Sequence, residues 1–243
     1  MNVWEIYQFN NARANKDQSG RSFTVDQYNS ILQGIDIDYL KLKYGLPEEY
    51  KPGAPLPRQA WEITQKITDD LRHLKKIMGG RDYPLLVIDK NGYANIPSDY
   101  VHQSALRWDQ TLNAPDCVSE NELNQIPIEV LTDADFDSRL WDAIRVPWTR
   151  YPFCKFNSDH IEFQPKNMQF AVFSYIRMPR AAFLSVTLDS DNNYVYDAAN
   201  SLQLEWPNDM HMDIANRIYM YWADNLSNPL MVQSGAKKLA EGI

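Results

Sequence analysis

The chain has 243 residues, 44% of them apolar and 23% charged, and a net charge of −8, an ordinary globular composition with material for a sizeable core. Lys and Arg never run beyond the pairs Lys75-Lys76 and Lys237-Lys238, which speaks against tight binding to a phosphate backbone, because that needs clustered cations to displace counterions. No apolar run approaches the roughly 18–20 residues of a membrane span and no basic-then-apolar leader pattern opens the chain, so the expectation is a product of the cytoplasm that stays there or leaves only inside a particle, with no membrane partner.

A short helix is expected over residues 3–15, with Val3, Ile6, Tyr7 and Ala14 near one face, followed by a polar turn over 15–20. Thr24 then caps a strong helix over 24–44. Its hydroxyl can accept from the amide of Gln27, whose side chain can answer back, and Phe23 and Tyr28 occupy the two positions of a hydrophobic staple. Tyr28, Ile31, Leu32, Ile35, Tyr39 and Leu42 recur at steps of three and four, and Gly45 and Pro47 stop the helix. Four prolines and Gly53 make residues 46–57 an extended arm, since proline lacks the helix donor and clashes with the preceding turn. A third helix is expected over 58–78, with Leu71, Leu74 and Ile77 inward, packed on the second as a hairpin.

At Tyr83 the period changes to that of strands. Residues 85–88 and 93–96 flank Asn91-Gly92, the strongest short hairpin signal. A strand over 100–108 and a loop over 111–124 come next. A short strand over 126–131 leads to a helix that Thr132 caps, with Phe136, Leu140, Trp141 and Ile144 on its apolar face. Further strands are expected over 153–156, 160–163, 168–177, 183–188, 194–196 and 202–206, closing a small sandwich or open barrel. A helix over 208–224 carries Met210, Ile214, Ile218, Tyr221 and Trp222 on its apolar face. Pro229 opens a last helix. The fold class is therefore α+β: an N-terminal helical hairpin (1–80), a β-rich middle (81–207, with a short helix near 132–144) and C-terminal helices with a tail (208–243), forming one compact unit with arms.

No motif of nucleotide, zinc-protease or hydrolase chemistry occurs, so neither catalysis nor a cofactor is expected. His73, His102, His160 and His211 are scattered without ligand spacing. Cys117 and Cys154 form no C-x-x-C and read as free thiols of a reducing compartment. Cys154 and His160 lie on opposite arms of a hairpin with nothing to orient them as nucleophile and base. Asp189, Asp191 and Asn193 copy the first half of a calcium loop, but Tyr194 stands where glycine is needed and Asn200 where glutamate is, so a polar turn is the better account. Asp133, Asp135 and Asp137 complement a helix dipole rather than bind a metal. Glu205 beside Trp206 has no second carboxylate at a glycosidase spacing.

What stands out is the aromatic surplus of seven Trp and fourteen Tyr, residues that fill cores but also carry interfaces. The candidate interface residues are Tyr50 and Pro52 on the arm, Trp206, Tyr219, Tyr221 and Trp222 at the last long helix, and Leu230 and Met231 in the tail.

Several phrases spread over nearly the whole chain resemble structural proteins of crAss-like and related Bacteroidetes tailed phages: Asn15-Lys-Asp-Gln18, the run Tyr44 to Gly53, Tyr175-Ile-Arg-Met-Pro179, Leu204-Glu-Trp-Pro207 and Glu241-Gly-Ile243. The resemblance implies a virion protein made in the host cytoplasm, a subunit of a dodecameric ring in the tail or head-to-tail connector. Its partners would be further copies of itself, the portal and adjacent tail or ring proteins, around a channel through which DNA passes without specific binding. An acidic chain suits such a conduit. The family has no active-site motif, so no residue role carries over. The alternative is a baseplate or adhesin-type binding module whose β-rich middle holds a glycan or another tail protein, with Trp108 and Trp148 as loop aromatics.

Overall fold

The computed structural model describes residues 1–17, 24–44, 68–79, 83–109, 125–142 and 151–225. Helices at both ends of the described chain flank a β-rich middle, an α+β fold. The expected division at 80/81 and 207/208 is replaced by two compact units, one of residues 1–73 and 179–243, the other of residues 74–178. The segment 179–207, expected in the β-rich part, thus belongs with the helices.

The helical unit holds α1 (Val3–Asp17), α2 (Val25–Tyr44) and α4 (His211–Asn225), the last preceded by a 3₁₀ turn over Asn208–Met210. Val3, Ile6, Tyr7 and Ala14 of α1 are buried, as their spacing requires. The helix continues through Asp17, where a turn was expected from Asn15. The capping box forms: Thr24 N–H donates to Gln27 Oε1 at 3.4 Å and Gln27 N–H to Thr24 Oγ1 at 3.3 Å. Tyr28, Leu32, Ile35 and Tyr39 are buried, but Leu42 is exposed. Met210 of the 3₁₀ turn and Ile214, Ile218 and Trp222 of α4 are buried as expected, whereas Tyr221 is exposed and Tyr219 takes the inward place. The unit also contains a two-stranded hairpin of β10 (Val186–Leu188) and β11 (Tyr194–Tyr196), and one bridge between Phe183 and Leu202. The expected strand over 202–206 is reduced to that bridge.

The β-rich unit opens with a correction. Lys75–Met78, expected as the end of a long helix, is strand β1, preceded by a 3₁₀ turn over Arg72–Leu74. Leu71 and Leu74 are buried, but Ile77 points outward: alternation replaces the helical period once the segment pairs with β9 (Phe170–Arg177). The first sheet runs β1-β9-β4-β5, with β4 spanning Tyr100–Asp109, β5 spanning Gln125–Pro127, and β2 (Leu86–Val87) also pairing β9. The second runs β3-β8-β7-β6, of Tyr93–Asn95, His160–Gln164, Phe153–Phe156 and Glu129–Val130. Both sheets bury residues in one core that includes Leu106, Trp108, Ile161, Phe163, Phe173 and Tyr175.

Two segments cross between these sheets. The Asn91-Gly92 turn forms, with Gly92 N–H donating to Asp89 O at 3.0 Å and Asp89 N–H to Tyr93 O at 2.8 Å. Its arms do not build the expected hairpin, because β2 joins β9 and β3 joins β8. Gly92 is required there: its φ is +87°, and a Cβ would lie 2.8 Å from the carbonyl oxygen of Phe163. The stretch expected as one strand over 126–131 likewise splits, β5 pairing β4 antiparallel and β6 pairing β7 in parallel, with Ile128 between them. The helix α3 (Asp133–Trp141) follows with Thr132 as its N-cap, the hydroxyl accepting from Asp135 N–H at 3.4 Å. Of its expected apolar face only Phe136 is buried; Leu140 and Trp141 are exposed and Ile144 lies outside the described residues. Thr111–Asn124, the arm 46–57, the caps Gly45 and Pro47, Phe23, the last helix from Pro229 and the 58–67 part of the third helix also lie outside them.

Candidate functional site

Polar groups gather where α2 meets the segment 179–206 of the helical unit. Asn29 and Asp36 lie two turns apart on the stripe that carries Leu32 and Tyr39, so both point inward. Asn29 treats Leu184 as a strand would: its Nδ2 donates to Leu184 O at 2.9 Å and its Oδ1 accepts from Leu184 N–H at 2.9 Å. Asp36, 3% exposed, accepts from Ala182 N–H at 3.3 Å and from Trp206 Nε1–H at 3.1 Å. Burial pushes its carboxyl up, the two donated hydrogen bonds pull it back, and Glu205 pushes it up again, leaving it at about 6. The side chains thus supply the bonds that a sheet partner would give to an extended segment.

Trp206 is the hub of this cluster. Tyr39 meets it edge-on at 4.8 Å and His73 at 5.1 Å between ring centroids. Its carbonyl takes a 2.7 Å bond from His211 Nε2, which fixes that nitrogen as the donor. Glu205 accepts from Arg180 N–H at 2.9 Å, so it is a backbone anchor rather than an acid in an apolar pocket. A shallow cavity of about 450 Å³ lies beside the cluster, lined by Glu5, Gln203, Trp206, Asn208 and His211 among others.

The interface candidates separate into three groups. Trp206, Tyr219 and Trp222 are buried within the helical unit, at 3%, 0% and 4% exposure, and serve its core. Tyr221 is 46% exposed and its hydroxyl donates to Asp38 of α2. Tyr50, Pro52, Leu230 and Met231 lie outside the described residues. Further large apolar side chains face solvent, among them Leu188 and Val195 on the hairpin and Ile37 on α2 in the helical unit, and Trp141 at 89%, Tyr151 at 74% and Val87 at 64% in the β-rich unit. The sequence placed Trp141 on the apolar face of its helix with Phe136, and the structure leaves it exposed.

The remaining chemical candidates are placed as follows. Cys154 is fully buried on β7 opposite Phe163, and burial pushes its thiol up to about 12. His160 sits at the turn, held between Asn157 Nδ2 at 2.8 Å and Asp159 Oδ1 at 2.7 Å, with Tyr93 against its ring. His73 and His211 belong to the helical unit and His102 and His160 to the β-rich unit. Asp189 closes a polar turn, accepting from Ser190 N–H at 2.7 Å, with Asn192 at φ +58°. Asp135 completes the cap of α3, taking the Thr132 hydroxyl at 2.7 Å. Among the described residues no three His, Cys, Asp or Glu side chains are grouped to hold a metal, and no helix is long and apolar enough to cross a membrane. Cys117 lies outside them. No protein-family model matches the chain, and no curated protein matches it.

Proposed function

We propose that the chain is a virion structural protein, a subunit of a ring in the tail or head-to-tail connector of a tailed phage. The observation that carries the reading is that each compact unit leaves large apolar side chains in solvent, Leu188 and Ile37 on one and Trp141, Tyr151 and Val87 on the other. Aromatic side chains are enriched where proteins meet, and these are the candidates for such contacts here. Two different surfaces on one chain suit head-to-tail contacts, which close into a ring when the rotation per subunit fits. The acidic net charge of −8 suits a conduit past which DNA moves without sticking. The phrases shared with crAss-like phage structural proteins point the same way and supply the portal and adjacent tail proteins as partners.

The test is to image the purified chain by negative stain, alone and mixed with portal rings of such a phage. A ring, free or seated on the portal, is expected. A chain that neither closes nor binds the portal would overturn the reading. The alternative of a glycan-holding module loses one of its two anchors, because Trp108 lies in β4 at 6% exposure.

A further inference from the structure

The turn at Asn91-Gly92 joins a requirement of the fold to a reactive pair of residues. The fold needs glycine there, because φ is +87° and a Cβ would lie 2.8 Å from the carbonyl oxygen of Phe163. Of all the asparagines in the chain, only Asn91 is followed by glycine. Asparagine is among the thermolabile side chains, and a following glycine puts no side chain in the way of attack on its amide carbon. Asn91 is exposed, and its side-chain amide bonds to no described residue.

The folded turn holds the attacking atom in place. Gly92 N–H donates to Asp89 O at 3.0 Å, and Gly92 O accepts from Phe163 N–H at 2.7 Å. One oxygen of the Asp89 carboxylate accepts from Asn91 N–H at 2.9 Å and from Tyr93 N–H at 2.7 Å. Asp89 thus pins the backbone on both sides of Gly92 and keeps the Gly92 nitrogen from swinging onto the Asn91 side chain.

We propose that Asn91 is a self-modification site whose rate is set by local opening of this turn. Once the bond to Asp89 O opens, Gly92 N gives up its proton and attacks Asn91 Cγ. A C–N bond forms, the Cγ–Nδ2 bond breaks, and ammonia leaves with the proton, giving a cyclic imide. Water then opens the imide at either carbonyl and leaves aspartate or isoaspartate. Isoaspartate carries the main chain through the former side-chain methylene and lengthens it by that carbon. Gly92 then cannot keep its bonds to both Asp89 and Phe163, and β3 loses its hold on β8 next to the corner between the sheets. The reaction belongs to the single chain and is independent of assembly.

The experiment incubates the full chain, folded and in denaturant, under warm and mildly alkaline conditions. Peptide mass spectrometry follows each asparagine, and an isoaspartate-specific methyltransferase counts the isoaspartate. In denaturant Asn91 should convert before every other asparagine. In the folded chain its conversion should be roughly tenfold slower, the scale of the bonds that hold the turn. Asp89→Ala should bring the folded rate most of the way to the unfolded one, with circular dichroism matching the parent. Asp89→Asn, which keeps an acceptor oxygen, should stay near the parent rate. Asn91→Gln should remain unmodified at that position and keep the exchange protection of β3 and β8 that the aged parent loses. An Asn91 that lags other asparagines in denaturant, or that converts equally fast folded and unfolded, would overturn the proposal. So would an Asp89→Ala chain that folds and ages no faster than the parent.

Discussion

The two units keep their interiors in different ways. The β-rich unit buries an almost wholly apolar set, and among its described residues only Gln164 and Ser174 are buried polar side chains. Its backbone groups are satisfied by the ladders of two sheets, so the core can be filled by Ile161, Phe163, Phe173 and Tyr175. The helical unit buries Asn10, Asn29, Asp36, Ser201, His211 and Asn216 among its described residues. Its helices satisfy themselves, but the segment 179–206 has one isolated bridge and a two-stranded hairpin. Side chains from α2 make up the shortfall. Where a chain has no strand to pair with, buried polar side chains replace it, and one of them carries a titrating charge.

Deep truncation of the apolar interior should have the largest effect. Phe163→Ala, at a fully buried site on β8, should destabilise the β-rich unit by about 3–5 kcal/mol. Hydrogen exchange should show the loss in residues 74–178 first. Equal loss in both units would erase the contrast between them.

The next effect belongs to Asp36. Its carboxyl ionises near pH 6 in the folded chain against an ordinary value of 3.8, so stability is full below the lower value and falls as pH rises to about 6. The loss should reach up to ~3 kcal/mol. Exchange protection in α2 and residues 182–206 should therefore fall between about pH 4 and pH 6, and the Asp36→Asn chain should lose that slope. A slope of the same size in the β-rich unit would mean that Asp36 is not its source.

Gly92→Ala sharpens the comparison from the other side. It places a Cβ against the Phe163 carbonyl at 2.8 Å and strains a left-handed turn, for a cost of about 1–3 kcal/mol confined to the corner between the sheets. Smallest is Thr132→Ala, which removes the cap of α3 and should cost about 1 kcal/mol, visible as fraying of Asp133–Asp135 and little else.

Local chemistry was legible in the sequence. The Thr24 and Thr132 caps, the buried stripe of α2 and the Asn91-Gly92 turn all follow from side chains acting within a few residues of themselves. Which strand pairs with which was not legible. The arms of the Gly92 turn look like partners until β8 and β9 compete for them, and the stretch 125–130 gives no local sign that it changes sheets at Ile128. The helix expected through Met78 failed for the same reason: Leu71 and Leu74 fit a helical face, and only pairing with β9 turns Lys75–Met78 into strand. The clamp of Asn29 and Asp36 was half legible. Both fall on the buried stripe by spacing, but their partners lie at Ala182, Leu184 and Trp206, distances in sequence that periodicity does not reach.

The central claim is that the chain closes into a ring through two unlike surfaces, and the native mass tests it most directly. Light scattering across a sizing-column peak, from low to high concentration, should give one fixed multiple of the 28.3 kDa subunit, with ring-shaped particles in the same fraction. A single 28.3 kDa species throughout that also fails to assemble on portal rings, or sizes that grow without limit as concentration rises, would contradict it.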